Sequence, residues 1–144
     1  MDISERIKTI IQSVHKLEEA CFPQFDFKIG YLTIFSKDEN DYNSLLEKLE
    51  TLGVKEAANN GFKFKLNKKL ELEGETIESV RIRVPDLHRP EYGCADLVYK
   101  ENEYRQLRRV AVIKGFDIIY RGDYEMIELS TLDINAYAYL VAEL

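Results

Sequence analysis

Two similar acidic segments, each following a strand-like stretch and opening a helix-like stretch, constrain the fold of this 144-residue chain most strongly. Lys37-Asp38-Glu39-Asn40-Asp41-Tyr42 follows the β-rich segment 27–35, and Lys100-Glu101-Asn102-Glu103-Tyr104 follows the segment 93–99. After each of them come apolar residues at helical spacing and then three short stretches with strand periodicity. An order of strand, helix and three strands that occurs twice predicts an internal duplication.

The regions outside the two repeated units are also predicted. Apolar residues at helical spacing over residues 2–20 indicate an amphipathic N-terminal helix, and Asp2 with Glu5 forms a capping-box pattern. Pro85 to Pro90 indicates a stiff surface connector between the units. The chain is therefore predicted to be a single domain, 1–144, with the helix in 1–25, the first unit in 26–86 and the second in 91–144.

Two smaller features carry expectations of their own. Gly53 follows the helix of the first unit, where a left-handed C′ residue is expected. His88 lies in the connector and is expected on the surface.

Composition excludes several classes of protein. A net charge of −6 disfavours binding to nucleic acid, which requires concentrated Lys and Arg. The sequence has no apolar run of about 18 residues and no secretory leader pattern, so no membrane association is expected. Cys21 and Cys94 have no metal-type spacing and are expected as free thiols in the cytoplasm. Two histidines are too few for an imidazole-rich site.

Two carboxylates interrupt strands that otherwise look buried. Asp96 lies in YGCADLVYK, residues 92–100, and Glu128 lies in YEMIELS, residues 124–130. Burying an unpaired carboxylate costs several kcal/mol or raises its pKa, so each requires a partner or a function.

A βαβββ unit that occurs twice in one chain resembles the vicinal oxygen chelate superfamily, which includes glyoxalases and extradiol dioxygenases. The resemblance covers residues 28–144 and marks the chain as a divergent member. It implies an α+β fold in which the two units form a curled mixed sheet with a cup-like cleft, and the N-terminal helix packs outside that sheet. In the family a divalent metal lies in the cleft, held by residues from the first strand of a unit and by a glutamate near its end.

The resemblance also assigns four metal-ligand positions. In the first unit they are occupied by Tyr31 and Arg83, neither of which suits a divalent ion. In the second they are occupied by Asp96, or Cys94 if the alignment is shifted by two residues, and by Glu128. Two carboxylates without histidine would suit magnesium or manganese better than zinc or iron. The resemblance thus implies a degenerate site, with a divalent metal on Asp96 and Glu128 as the alternative.

A structural role for the carboxylates stays open beside the functional one. Arg81 and Arg83 alternate with apolar residues, so they share one strand face and could form ion pairs with Asp96 and Glu128 in the cup. The cup would still suit a small polar or anionic molecule. The predicted ligand-binding residues share that face: Tyr31, Thr33, Arg81, Arg83, Asp96, Tyr124 and Glu128, with Tyr137 or Tyr139 nearby.

Three functions follow as hypotheses. The first is a small-ligand-binding protein of this fold with a degenerate metal site, for which neither a cofactor nor enzymatic activity is expected. The second is a divalent-metal-dependent lyase, isomerase or dioxygenase, with Tyr31 or His88 as acid or base. The third is a protein-interaction module without a ligand, whose partner is another protein or a second copy of this chain in a homodimer. An open cleft favours the first two hypotheses, and a cup filled by its own side chains favours the third.

Overall fold

The computed structural model describes residues 2–131 and 134–143, which form three helices and eight strands. In chain order these are α1 (Ile3–Cys21), β1 (Lys28–Phe35), α2 (Glu39–Leu52), β2 (Gly53–Ala58), β3 (Gly61–Leu72), β4 (Glu75–Arg83), β5 (Gly93–Tyr99), α3 (Glu101–Lys114), β6 (Ile118–Arg121), β7 (Tyr124–Leu129) and β8 (Ala136–Ala142). The predicted helices and strands are all present. Both acidic segments lie where the pattern placed them, between a first strand and its helix.

The sheet shows the internal duplication directly. Its strand order is β2-β3-β4-β1-β5-β8-β7-β6, so each unit occupies one half. In the first half β1 pairs in parallel with β4, and in the second β5 pairs in parallel with β8. The halves join through the antiparallel pair of β1 and β5 at the centre. The predicted α+β class, with two βαβββ units in one curled mixed sheet and an additional N-terminal helix, is confirmed.

All three helices pack against the same face of this sheet. α2 covers the first half, α3 packs on the second, and α1 lies over the central strands β1, β5 and β8. The apolar stripe of α1 is buried, as its helical spacing predicts. Arg6 Nη1 in α1 lies 2.5 Å from Asp41 Oδ1 in α2, and Lys114 Nζ in α3 donates to the Cys21 carbonyl at 2.5 Å. These two contacts tie α1 to both units.

Strand alternation separates this core face from the opposite one. In β5, Ala95, Leu97 and Tyr99 are buried toward the helices, while Cys94 and Asp96 are half-buried on the other side. The same period of two recurs over residues 32–34 of β1 and 80–83 of β4. The face away from the helices therefore collects the polar residues of both units. Within residues 2–131 and 134–143, no helix combines the length and apolar content that a membrane crossing requires.

One local prediction is wrong. Gly53 is not left-handed but fully extended, with φ −165° and ψ −179°, and β2 begins at this residue without an intervening turn. The reason for glycine there is crowding, because a Cβ atom would lie 2.4 Å from the carbonyl oxygen of Lys65 in β3. The capping prediction at Asp2 is confirmed, since its carboxylate accepts the Glu5 N–H at 2.8 Å.

Candidate functional site

A cleft of about 560 Å³ lies on the sheet face opposite the helices. Both units and the connector between them contribute to it. It is lined by Tyr31, Thr33, Phe35, Asn59, Asn60, Arg81, Ile82, Arg83, Arg89, Cys94, Asp96, Arg121, Tyr124, Met126 and Tyr139. The curled sheet brings strands that are five positions apart in the strand order, β4 and β6, to the same cleft.

The structure brings together most of the residues that alternation placed on the cup face. Six of the seven predicted ligand-binding residues line the cleft, namely Tyr31, Thr33, Arg81, Arg83, Asp96 and Tyr124. The seventh, Glu128, lies outside the lining. Their roles in binding stay predictions.

The two unusual carboxylates do lie on the same face of the sheet. Asp96 in β5 is opposite Tyr139 in β8, and Tyr139 is opposite Glu128 in β7. Side chains at partnered positions of neighbouring strands project to the same side, so the three form one row across the second unit. Asp96 is at the end of this row near the centre of the sheet, where the two units meet.

Asp96 is held in a poorly solvated position without a protein partner. No described residue donates a hydrogen bond to its carboxylate, and no described cation lies within 4.0 Å of it. Burial raises its pKa to about 6, and the positive charge of Arg81 offsets only part of that effect. The carboxylate is therefore ionised at neutral pH at a cost in stability.

The predicted ion pairs between arginines and these carboxylates are not made. Arg81 donates through Nη2 to the carbonyl oxygen of Asn59, at 3.2 Å. Arg83 Nη2 lies 3.8 Å from Asp86 Oδ2, three residues along the chain, and its guanidinium lies 5.7 Å from the centre of the Phe35 ring. Both arginines contact groups outside β5 and β7, and neither Asp96 nor Glu128 forms an ion pair with them.

Arginine dominates the charge of the cleft. Four arginines line it, Arg81 and Arg83 from β4, Arg89 from the connector and Arg121 from the end of β6. Among the described lining residues Asp96 is the single acidic side chain. The residues that line the cleft therefore carry a net positive charge, although the whole chain carries a net charge of −6.

Arg89 and Arg121 could not be found from strand alternation. Arg89 lies between Leu87, which is 98% exposed, and Pro90, in a connector that has no periodic pattern. Its guanidinium lies 4.9 Å from the centre of the Tyr137 ring in β8, and this contact directs it over the second unit. Arg121 is the last residue of a four-residue strand. His88, the neighbour of Arg89, is exposed, as expected for the connector, and lies outside the lining.

The remaining polar groups of the cleft are neutral donors. Burial raises the pKa of the Tyr139 hydroxyl to about 12, and burial likewise raises that of the Cys94 thiol to about 12. Neither group is ionised near neutral pH, so Cys94 does not offer a thiolate nucleophile or metal ligand. Both cysteines of the chain are free, as predicted.

The donor set does not fit the divalent metal that the resemblance implies. Within the described part of the chain, no three His, Cys, Asp or Glu side chains come together in the way a metal ion requires. Of the four ligand positions that the resemblance implies, one is occupied by the guanidinium of Arg83, which repels a cation. A tyrosine stands at another, where the Tyr31 hydroxyl accepts a hydrogen bond from Lys63 Nζ at 3.4 Å.

Comparisons with known proteins agree with the fold. No protein-family model and no curated protein matches the sequence. A solved structure described as "Structural Genomics, Protein EC4020" is similar with a TM-score of 0.70 and 11% identity, over 99% of this chain and 86% of that chain. At that identity the likeness establishes the fold alone.

Fosfomycin resistance proteins also align with this chain, but weakly in space. FosX from Listeria monocytogenes has 16% identity over 80% of this chain and 90% of that chain, with a TM-score of 0.30. FosX from Mesorhizobium loti has 15% identity over 80% and 91%, also with a TM-score of 0.30. Such values support no argument about function. The paired βαβββ units themselves confirm the resemblance to vicinal oxygen chelate proteins at the level of the fold.

Proposed function

We propose that this protein binds a small organic anion in the arginine-lined cleft, without a resident metal. One observation carries the proposal: four arginines and a single carboxylate line a space of about 560 Å³. That volume lies in the range of pockets that enclose small molecules. Guanidinium groups match the planar, bidentate geometry of carboxylates and phosphates, so they favour these anions over other polar ligands.

The arginines are available to a ligand because their protein partners are weak or neutral. Arg81 is bonded to a carbonyl oxygen and Arg89 stacks on an aromatic ring, and neither contact neutralises a charge. The pair of Arg83 with Asp86 spans 3.8 Å, which is longer than a charge-assisted hydrogen bond. Glu91 and Glu128 attract Arg89 electrostatically, but no described carboxylate lies within 4.0 Å of Arg81 or Arg89. An anion entering the cleft would therefore not have to displace a carboxylate from an ion pair with either group. The open cleft also favours a ligand over a purely structural interaction module.

Replacement of Arg81 or Arg83 with glutamine is expected to weaken anion binding by about tenfold or more, because each change removes a charge-assisted hydrogen bond. Isothermal titration calorimetry with inorganic phosphate, succinate and citrate measures the effect. Arg105→Gln is the matched control, since Arg105 carries the same charge on the exposed surface of α3, where it pairs with Glu101 at 2.6 Å. Equal weakening in Arg105→Gln would indicate bulk electrostatics, and no binding by the unmodified protein would contradict the proposal.

Divalent metals are expected to leave the stability of the protein unchanged, because the cleft does not assemble three donor side chains among the described residues. A ligand that binds only the folded state raises the melting temperature. Thermal unfolding in the presence of Mg²⁺, Mn²⁺ or Ni²⁺, each compared with a chelator, tests this. Asp96→Asn and Glu128→Gln serve as controls, since a rise that either variant removes would restore the hypothesis of a metal-dependent enzyme.

A further inference from the structure

Asp96 is the one feature of the cleft that anion binding by itself does not explain. An anion is attracted by four arginines, yet the floor of the same cleft presents a negative charge. A protein that only had to attract anions would bind them more tightly with a neutral residue at this position. The carboxylate therefore either weakens anion binding without benefit or recognises a second group of the ligand.

The surroundings of Asp96 leave its oxygens available to a bound molecule. It lies in β5, between β1 and β8; it is in register with Tyr139 of β8, but on the β1 side it lies where the pairing is interrupted between Ile29 and Leu32. The nearby Thr33 hydroxyl interacts with the Cys94 thiol instead. Across the seam Gly30 has no side chain, and a Cβ atom built there would lie 3.8 Å from Asp96 Cβ. No described residue supplies the hydrogen-bond donor that a half-buried carboxylate needs.

The charges around it also restrict which molecule can supply that donor. A simple cation would be repelled by the four guanidinium groups, and a simple anion would meet the negative charge of Asp96. A molecule with a negative group for the arginines and an ammonium or hydroxyl group for the carboxylate satisfies both parts of the cleft.

We propose that the ligand of this cleft is an amino or hydroxy acid, or a phosphorylated amine, and that Asp96 recognises its ammonium or hydroxyl group. This inference rests on the proposed function and narrows its ligand class. The anionic group of the ligand contacts the arginines, while its donor group contacts the carboxylate of Asp96. Asp96 is then a specificity-determining residue, and the arginines supply most of the affinity.

The test uses probes that differ in one group. Succinate, malate and aspartate share a carbon skeleton and carry hydrogen, hydroxyl or ammonium at C2; ethyl phosphate and phosphoethanolamine form a second matched set. Calorimetry near neutral pH is expected to show malate or aspartate binding about tenfold more tightly than succinate, since a hydrogen bond to a charged group supplies that ratio. Phosphoethanolamine is likewise expected to bind about tenfold more tightly than ethyl phosphate.

The variant Asp96→Asn tests whether Asp96 itself causes the preference for probes with an ammonium or hydroxyl group. In this variant the preference for the ammonium probes is expected to fall to within about twofold, and succinate to bind more tightly than before, because a negative charge has been removed. Asp26→Asn, a change on the exposed loop between α1 and β1, is expected to keep the preference. If the simple anions bind but no preference exists, or if the preference survives in Asp96→Asn, this inference is overturned and the proposed function stands. If none of the probes nor inorganic phosphate binds, both fail.

Discussion

Asp96→Asn is expected to make the free protein more stable by about 2 to 3 kcal/mol near neutral pH, because the folded state holds this carboxylate at a pKa of about 6 against a usual 3.8. Asparagine keeps the size of the side chain and removes the desolvated charge. For a chain of this length the gain corresponds to a rise of about 5 °C or more in melting temperature. Urea unfolding of the protein and the variant in parallel measures it.

The pH dependence of that gain distinguishes a desolvated charge from a simple packing change. Below about pH 4 the carboxyl group is protonated in both states, so the variant has no advantage. Between about pH 4 and 6 the folded state retains a proton on Asp96 that the unfolded state has released, so the contribution of Asp96 to the stability falls as pH rises. Above about pH 6 both states are ionised, and the difference is constant.

Asp26→Asn is the matched control, because it makes the same chemical change at an exposed position. Its stability is expected to follow that of the unmodified protein at each pH. A variant Asp96→Asn that is destabilised near neutral pH, or whose gain is the same at pH 4, would contradict the assignment of Asp96 as a desolvated carboxylate. A residue that is retained at a cost in stability is typical of sites that serve binding or catalysis.

The fold could be predicted from sequence because each part of the pattern is local. The acidic segments before Tyr42 and Tyr104 lie at helix starts, and strand alternation is fixed by the geometry of the chain. Together with the order of elements they determine which two halves form the sheet. Alternation, together with the cup that the resemblance implies, also predicted Arg81, Arg83 and Asp96 on one face, and all three line the cleft.

The contacts of the site could not be predicted in the same way. The hypothesis that Arg81 and Arg83 pair with the carboxylates was wrong. Alternation shows only which face of the sheet a side chain lies on, whereas an ion pair also requires the two charged groups to lie within bonding distance. Arg81 instead donates to the carbonyl oxygen of Asn59 in the β2–β3 hairpin, and Arg83 lies near Asp86, three residues beyond it. Gly53 shows the same limit, since its crowding comes from Lys65 in a partner strand that the local sequence does not specify.

The seam between the two units is the place where a small change is expected to have a large effect. Gly93 opens β5, is buried, and pairs with Ile34 of β1 and Ala136 of β8. A Cβ atom at this position would lie 2.1 Å from the carbonyl oxygen of Thr33 and 2.7 Å from Ile10 Cδ1. The carbonyl belongs to the backbone of β1, so it can move only if β1 separates from β5.

Gly93→Ala is therefore expected to destabilise the protein by about 3 kcal/mol, the upper part of the range for overpacked positions. Anion binding is expected to weaken as well, because Thr33 and Cys94, which flank the clash, line the cleft. Gly30→Ala is the control on the same seam, since the nearest atom to its Cβ would be Val98 Cγ2 at 3.1 Å, at the end of a side chain that can move. Its cost is expected to stay below about 1 kcal/mol, within the ordinary range for a surface substitution with a minor adjustment. If Gly93→Ala unfolds in urea at the same midpoint as Gly30→Ala, the close approach of β1 and β5 is not what joins the halves of the cleft.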